Sequence, residues 1–259
     1  MKSLVYGNGE SRQVWDITKK YKGFTTWGCN AIYRDAVVDN LVAIDYGVQQ
    51  EIYESGYAIE NRCHFADWAI LEDFDPEFLK MNYTPMDIHE TEKGDIASCV
   101  VQGKERETAE KNYEEMINQF PHLDKEDCKN KCYTNVGLYI TWLKENDSVE
   151  YIEYPREWCA GATAMYLACQ EGDDEVYMLG FDLSEHDEPI NNIYKGTKNY
   201  LSETSKGFNT DNWTTQLIQI FKDFPETQFY WVVKEDASPL VCNNVKSITY
   251  KDLDKRCQM

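Results

Sequence analysis

The residues best placed to do chemistry are polar ones that follow short strand-forming runs. Asn8, Asn30 and Asp45 each follow such a run, and Asp182 follows another run further along the chain. Buried parallel strands have this apolar, β-branched composition, and their carboxyl ends meet at one edge of a sheet. Ligands of open α/β sheets bind outside that edge. We therefore predict that these four side chains surround one ligand site.

The first of these turns is glycine-rich and has the sequence Gly7-Asn8-Gly9 before Glu10-Ser11. Glycine permits a tight turn, and a helix that starts here would present unpaired backbone N–H groups. Such a helix start carries a partial positive charge and suits a phosphate. The turn lacks the third glycine of the dinucleotide-binding fingerprint, so an ordinary strand-to-helix connection remains the alternative.

A second block of interest lies between residues 159 and 182. Small residues, Ala160 and Gly161 among them, crowd the start of a predicted helix, where a ligand could approach the backbone closely. The next strand ends in Gly180-Phe181-Asp182. Asp182 is either a carboxylate that faces the ligand or a turn-forming residue, and the sequence leaves both open.

Strand and helix patterns alternate along most of the chain. Strands are predicted at 3–6, 24–30, 41–45, 63–70, 97–103, 175–182, 229–233 and 247–250, and helices at 14–22, 46–55, 105–119, 136–145, 159–169 and 212–224. This alternation predicts an α/β fold with a Rossmann-like, doubly wound, mostly parallel sheet and helices on both faces. We expect one domain over residues 1–259, with an irregular insertion at 72–130 and a mobile lid at 184–211, which is rich in Gly, Asn and Pro.

Composition limits the partners and the compartment. The 259 residues carry a net charge of -20, which disfavours nucleic acid and anionic membranes without excluding them. We expect no membrane span and no secretory signal. Nine scattered cysteines indicate reduced thiols and a cytoplasmic protein. Asp73-Phe74-Asp75 has the form of a metal-binding carboxylate pair, but such pairs occur by chance in so acidic a chain. The sequence leaves a homo-oligomer open.

These motifs, in this order, resemble those of the bacterial sialyltransferases that decorate lipooligosaccharide. The family's Gly-Asn-Gly-x-Ser is matched by Gly7–Ser11, and its Cys-Asn by Cys29-Asn30. Its Ser-Gly helix start is matched by Ala160-Gly161, and its strand ending in Gly-x-Asp by Gly180–Asp182. The matches span most of the chain but are poor in its middle third. The lid also looks like those of transferase-like bacteriophage proteins, which would place the protein in a bacterium or a phage-infected cell.

The resemblance implies a set of nucleotide contacts. In that family the two asparagines contact a cytidine nucleotide, which gives Asn8 and Asn30 that role here. Ala160 replaces the family's serine and loses one hydroxyl contact, whereas the backbone at Gly161 remains. Asp45 replaces a third asparagine and could accept a hydrogen bond from a ribose hydroxyl. The implied nucleotide-binding residues are Gly7, Asn8, Gly9, Ser11, Asn30, Asp45, Ala160 and Gly161.

The resemblance implies the catalytic groups less directly. The family uses a histidine as general base, and this chain has no histidine at the matching stretch, Gly207–Asp211. The base would be Asp211, His186 or Asp182, each able to take a proton near neutral pH. Two tyrosines steady the leaving phosphate in the family, and Tyr194 could supply one of them.

The expected function is transfer of a sugar from a nucleotide-sugar to an acceptor hydroxyl on a glycan. The donor is CMP- or UDP-linked, with CMP favoured. No metal site and no further cofactor are assigned, and the sequence leaves a metal requirement open. One alternative is a phage enzyme that glycosylates DNA bases. The other is a nucleotide-binding protein without catalysis, because the family's serine and histidine are missing.

Overall fold

The computed structural model describes residues 1–66, 84–90, 96–102, 106–133, 139–143, 148–152, 158–183, 188–207, 209–234, 240 and 242–258. For 84–90, 96–102 and 139–143 it describes the strands alone, without their side chains. The chain divides into two compact units. The first combines Met1–Ala66 with Asp147–Met259, and the second is Asp67–Asn146.

The described residues of the two units form eleven strands and seven α-helices. The strands are β1 (Lys2–Tyr6), β2 (Thr25–Cys29), β3 (Asn40–Ala43), β4 (Cys63–Ala66), β5 (Thr84–Glu90), β6 (Ile96–Gln102), β7 (Tyr139–Leu143), β8 (Val149–Ile152), β9 (Glu175–Leu179), β10 (Gln228–Val233) and β11 (Val245–Thr249). The helices are α1 (Tyr46–Glu54), α2 (Tyr57–Glu60), α3 (Arg106–Gln119), α4 (Lys125–Tyr133), α5 (Ala160–Gln170), α6 (Asp211–Asp223) and α7 (Tyr250–Cys257), with 3₁₀ turns at Glu10–Val14 and Asn30–Arg34.

The first unit is built on an eight-stranded sheet in which all paired neighbours are parallel. The strand order is β11-β10-β9-β1-β2-β3-β4-β8. The chain first winds outward from β1 to β4, and it later returns to place β9 on the other side of β1. Val5 of β1 lies between Trp27 of β2 and Met178 of β9. The winding direction thus reverses between β1 and β9, which is where ligands bind in such sheets.

Helices cover both faces of this sheet. On one face α5 and α6 pack over a buried layer that includes Val5, Trp27 and Met178. On the other face α1 sets the Tyr53 ring 6.1 Å from that of Phe65. There α7 also lies against the sheet, with its Arg256 guanidinium 4.4 Å from the centre of the Tyr230 ring. The prediction of a doubly wound α/β fold is confirmed.

The second unit contains an antiparallel sheet of order β5-β6-β7 and the helices α3 and α4. The prediction of a helix at 136–145 is wrong, because Tyr139–Leu143 forms β7. Aromatic and β-branched residues suit a strand, and pairing with β6 overrode the helical pattern. On α4 the side chains of Cys128 and Cys132 are buried, as is Ala109 on α3.

The helix predicted at 14–22 is also wrong. In this stretch the chain forms the end of the 3₁₀ turn Glu10–Val14, followed by irregular turns. The Asp16 carboxylate accepts hydrogen bonds from the Thr18 N–H (3.1 Å) and hydroxyl (2.6 Å), which stabilises a turn in competition with a helix. None of the helices in the described ranges has the length and apolar character needed to cross a membrane.

Candidate functional site

A cavity of about 420 Å³ lies where the winding direction of the sheet reverses. The segments after β1, β2, β3 and β9 line it, together with the start of α5, part of α6 and several residues between 190 and 201. Most of the residues predicted from the sequence to form the ligand site line this cavity. They are Gly7, Asn8, Gly9, Asn30, Asp45, Ala160, Gly161 and Asp182.

The glycines after β1 allow the chain to pack against the segment after β9. The Gly7 N–H donates to the Leu179 carbonyl at 2.8 Å, and the Gly9 N–H donates to the Gly180 carbonyl at 2.9 Å. A Cβ atom on Gly7 would lie 2.5 Å from the Gly180 oxygen, and one on Gly9 would lie 2.6 Å from the Asp182 carboxylate. Gly180 itself has a φ of 69°, which favours glycine. These glycines are therefore explained by contacts within the protein.

The N–H groups that follow Gly9 are already paired. The Glu10 N–H donates to the Asn191 side-chain oxygen at 2.7 Å. The Ser11 N–H donates to Asp182 Oδ2 at 2.8 Å, and the Ser11 hydroxyl donates to Oδ1 of the same carboxylate. The turn therefore does not offer the unpaired N–H groups that the sequence predicts for a phosphate. Ser11 is buried and ties Asp182 to this turn.

Two asparagines that line the cavity each have a buried side-chain oxygen without a hydrogen-bond partner in the described protein. Asn8 Nδ2 donates to the Cys29 carbonyl and to the Tyr200 hydroxyl, both at 3.4 Å. Asn30 Nδ2 donates to Asp45 Oδ2 at 3.4 Å. The Oδ1 atoms of both asparagines are buried and have no hydrogen-bond partner in the described protein. Because a buried acceptor without a partner is costly, these two oxygens suit a ligand that donates hydrogen bonds.

At this edge Asn30 has an unusual backbone conformation and Asp45 has a shifted pKa. Asn30 has a φ of 51°, a left-handed conformation that asparagine tolerates better than most residues. Burial raises the pKa of the Asp45 carboxyl, while the hydrogen bond from Asn30 opposes this effect. Asp45 precedes α1, and its carbonyl accepts the Val48 and Gln49 N–H groups.

The start of α5 forms another wall of the cavity. Cys159, Ala160 and Gly161 line it, so the positive end of the helix dipole lies at the cavity surface. Burial raises the pKa of the Cys159 thiol, and the nearby N–H groups of Ala162 and Gly161 act in the opposite direction. A Cβ atom on Gly161 would make only ordinary contacts with the Phe181 ring, at 3.4 Å and 3.6 Å.

The residues between 188 and 207, which we call the strap, close over the strand ends. The Gly207 N–H donates to the Glu188 carbonyl at 2.8 Å, which joins the two ends of the strap. The Ile193 N–H donates to the Asn8 carbonyl at 2.8 Å, and Asn199 Nδ2 donates to Glu51 Oε2 at 2.8 Å. The strap lies within the predicted lid, 184–211, and supplies the cavity with Ile190, Asn191, Asn192, Asn199, Tyr200 and Leu201.

Two of the predicted catalytic residues, Tyr194 and Asp211, are not among the described residues that line the cavity. The Tyr194 hydroxyl is buried, donates to Asp35 Oδ2 at 2.6 Å and accepts from Arg12 Nη2 at 3.2 Å. Asp211 begins α6, is exposed, and accepts a hydrogen bond from Asn209. His186 lies outside the described residues, as does the Asp73-Phe74-Asp75 motif.

Comparisons of this chain with models of protein families, with curated proteins and with solved structures each gave no match.

The charges of the cavity are acidic. Asp45 and Asp182 line it, and none of the lining residues that the structure describes is a lysine, arginine or histidine. Within the same described ranges, no group of three or more His, Cys, Asp or Glu side chains could hold a metal ion. The cavity therefore combines hydrogen-bond acceptors at the strand ends with one helix terminus that favours negative charge.

Tyr200 also lines the cavity, although it was not predicted from the sequence as a site residue. Its hydroxyl accepts hydrogen bonds from Asn8 Nδ2 (3.4 Å) and from the Ala31 N–H (3.2 Å). A signal was present in the chain, because Tyr200 occurs in the same Gly- and Asn-rich loop as Tyr194. Trp213 and Leu217 of α6 add an apolar wall to the cavity.

Proposed function

We propose that this protein binds a nucleotide-sugar in the cavity and transfers the sugar to an acceptor hydroxyl on a glycan. One observation carries the proposal. Asn8 and Asn30 line the same cavity as the start of α5, and each has a buried amide oxygen without a partner in the described protein. The strand ends thus offer hydrogen-bond acceptors for a nucleoside, and the helix start offers partial positive charge for a phosphate.

The charges of the cavity favour a donor with a single phosphate. A CMP-linked sugar carries one negative charge on its phosphodiester, whereas UDP- and GDP-linked sugars carry two. The described lining has no cationic side chain, and Asp45 and Asp182 would repel a diphosphate. The phosphate would lie at the start of α5, on the side of Ala160 and Gly161, and the nucleoside would lie on the strand ends.

We assign different roles to the predicted catalytic groups. Both oxygens of Asp182 accept hydrogen bonds from Ser11, so Asp182 would position the loop and not accept a proton. His186 follows in the same loop and is the proposed general base towards the acceptor hydroxyl. Tyr194 would support the strap through Arg12 and Asp35.

Binding and turnover can be tested separately. Calorimetric titration with CMP, UMP, UDP and GDP is expected to give the tightest binding for CMP, and saturating ligand is expected to raise Tm. Release of nucleotide from a panel of CMP-, UDP- and GDP-linked sugars, with and without glycan acceptors, then measures transfer. If none of these nucleotides binds, the proposal fails as a whole.

A second candidate is a nucleotide-binding protein without catalysis. It is favoured by the positions of Tyr194 and Asp211 away from the cavity lining and by the use of Asp182 in holding Ser11. Tight CMP binding with no turnover across the donor panel would support this candidate against the transferase. A DNA acceptor is disfavoured by the net charge of -20. A salt-sensitive gel shift with duplex DNA would be evidence for such an acceptor.

A further inference from the structure

The amide of Asn8 can adopt only one of its two orientations. Its Nδ2 atom lies 3.4 Å from the Cys29 carbonyl oxygen and 3.4 Å from the Tyr200 hydroxyl oxygen. A carbonyl oxygen can accept a hydrogen bond but cannot donate one, so turning the amide over would set two acceptors against each other. The NH₂ group therefore faces Cys29 and Tyr200, and Oδ1 is left buried without a partner in the described protein.

The Tyr200 hydroxyl is itself held in place. It accepts a hydrogen bond from the Ala31 N–H at 3.2 Å, at the start of the 3₁₀ turn after β2. The guanidinium of Arg34 lies 5.8 Å from the centre of the Tyr200 ring, within the range of a cation–π contact. Burial raises the pKa of Tyr200, which keeps the phenol protonated and uncharged near neutral pH.

Asn30 shows the same arrangement one strand further along the sheet. Its Nδ2 atom donates to Asp45 Oδ2 at 3.4 Å, and an ionised carboxylate can only accept. Its Oδ1 atom is consequently the unpaired one, as in Asn8. Neighbouring acceptors thus orient both amides so that the oxygen, and not the nitrogen, is left without a partner in the described protein.

We propose that Tyr200 is a positioning residue that holds the Asn8 amide in the orientation set by the Cys29 carbonyl, so that the cavity selects its ligand by the hydrogen-bond donors that the nucleoside offers. This inference rests on the proposed function and names the feature of the nucleoside that is recognised. The donors are the ribose hydroxyls or an exocyclic amine of the base, which share the same chemistry towards an amide oxygen. A ligand without such donors leaves Asn8 Oδ1 and Asn30 Oδ1 unpaired, which costs affinity.

The test compares ligands that differ by one donor, in the wild type and in Tyr200→Phe. Calorimetry measures Kd for CMP, 2′-deoxy-CMP, 3′-deoxy-CMP and UMP. The two deoxy analogues each lack one ribose hydroxyl, and UMP lacks the exocyclic amine of the base. We expect the wild type to bind at least one of the three analogues about tenfold more weakly than CMP, as one lost hydrogen bond predicts. Tyr200→Phe is expected to weaken CMP binding and to reduce that discrimination to about twofold.

The matched control is Tyr194→Phe, which also removes one hydroxyl from the strap but does not touch Asn8. We expect it to keep the wild-type ratio of CMP to analogue affinity, even if a looser strap weakens both ligands alike. An unchanged ratio in Tyr200→Phe would overturn the inference while leaving nucleotide binding established. Equal binding of CMP and all three analogues by the wild type would also overturn it. Absence of CMP binding by the wild type would instead refute the proposed function.

Discussion

Gly7 offers the sharpest test of how the strand ends are assembled. A methyl group at this position would lie 2.5 Å from the Gly180 carbonyl oxygen and 3.0 Å from its carbon. Both are backbone atoms, so rotation of a side chain cannot relieve the clash, and β1 or β9 would have to shift. Overpacking of this kind costs about 1–3 kcal/mol, and we expect Gly7→Ala to lie at about 3 kcal/mol because the neighbour is backbone.

Gly161 provides the matched control for this substitution. A methyl group there would make ordinary contacts of 3.4 Å and 3.6 Å with the Phe181 ring, and the residue lies in the first turn of α5. Gly161→Ala should be neutral or should stabilise the protein by about 0.5 kcal/mol, because alanine restricts the unfolded chain.

Urea denaturation followed by circular dichroism measures both variants. A loss of 3 kcal/mol corresponds to a decrease in Tm of roughly 6–12 °C for a chain of this size. We expect a lower urea midpoint for Gly7→Ala with an unchanged slope, because the substitution changes stability and not the surface exposed on unfolding. If Gly7→Ala and Gly161→Ala were equally stable, the close packing of the β1 and β9 ends would be refuted.

Three further predictions concern the site and the sheet. Asn30→Gly, which keeps the left-handed backbone, should weaken CMP binding about tenfold in calorimetry without lowering Tm by more than a few degrees. Ser11→Ala leaves the Asp182 carboxylate short of a partner and should cost about 1–3 kcal/mol in urea denaturation, with CMP affinity nearly unchanged. Burial lowers the pKa of His64 to about 4 from an ordinary 6.5, so the folded state resists its protonation. The contribution of His64 to the free energy of unfolding is therefore fully present above pH 6.5. It falls by about 3 kcal/mol as the pH decreases to 4, at about 1.36 kcal/mol per pH unit. His64→Phe, which keeps a ring against Trp27, should reduce this decrease in denaturation curves taken from pH 7 to pH 4. An equal decrease in the variant would show that His64 is not its cause.

Most of the strand pattern was readable from the sequence because the central strands of the parallel sheet are short buried runs. Such runs are apolar on both faces, as in Leu4, Val5 and Tyr6, which are fully buried. Polar residues directly after these runs must lie at the carboxyl edge of the sheet. This rule predicted that Asn8 and Asn30 would share a site, and both line one cavity. The helix predicted at 136–145 failed for the converse reason, because pairing with another strand overrode a local preference.

The partners of each polar group depended on contacts between residues far apart in the chain. Asp182 binds Ser11, 171 positions away, and Asn8 Nδ2 lies beside Tyr200, 192 positions away. No spacing rule connects such residues, since the separation in sequence carries no information about which loop covers which strand. The sequence by itself determined the sheet and the edge where polar groups collect. Only the tertiary structure decided which of those groups remain unpaired, because hydrogen-bond capacity is consumed by neighbours that the fold brings together.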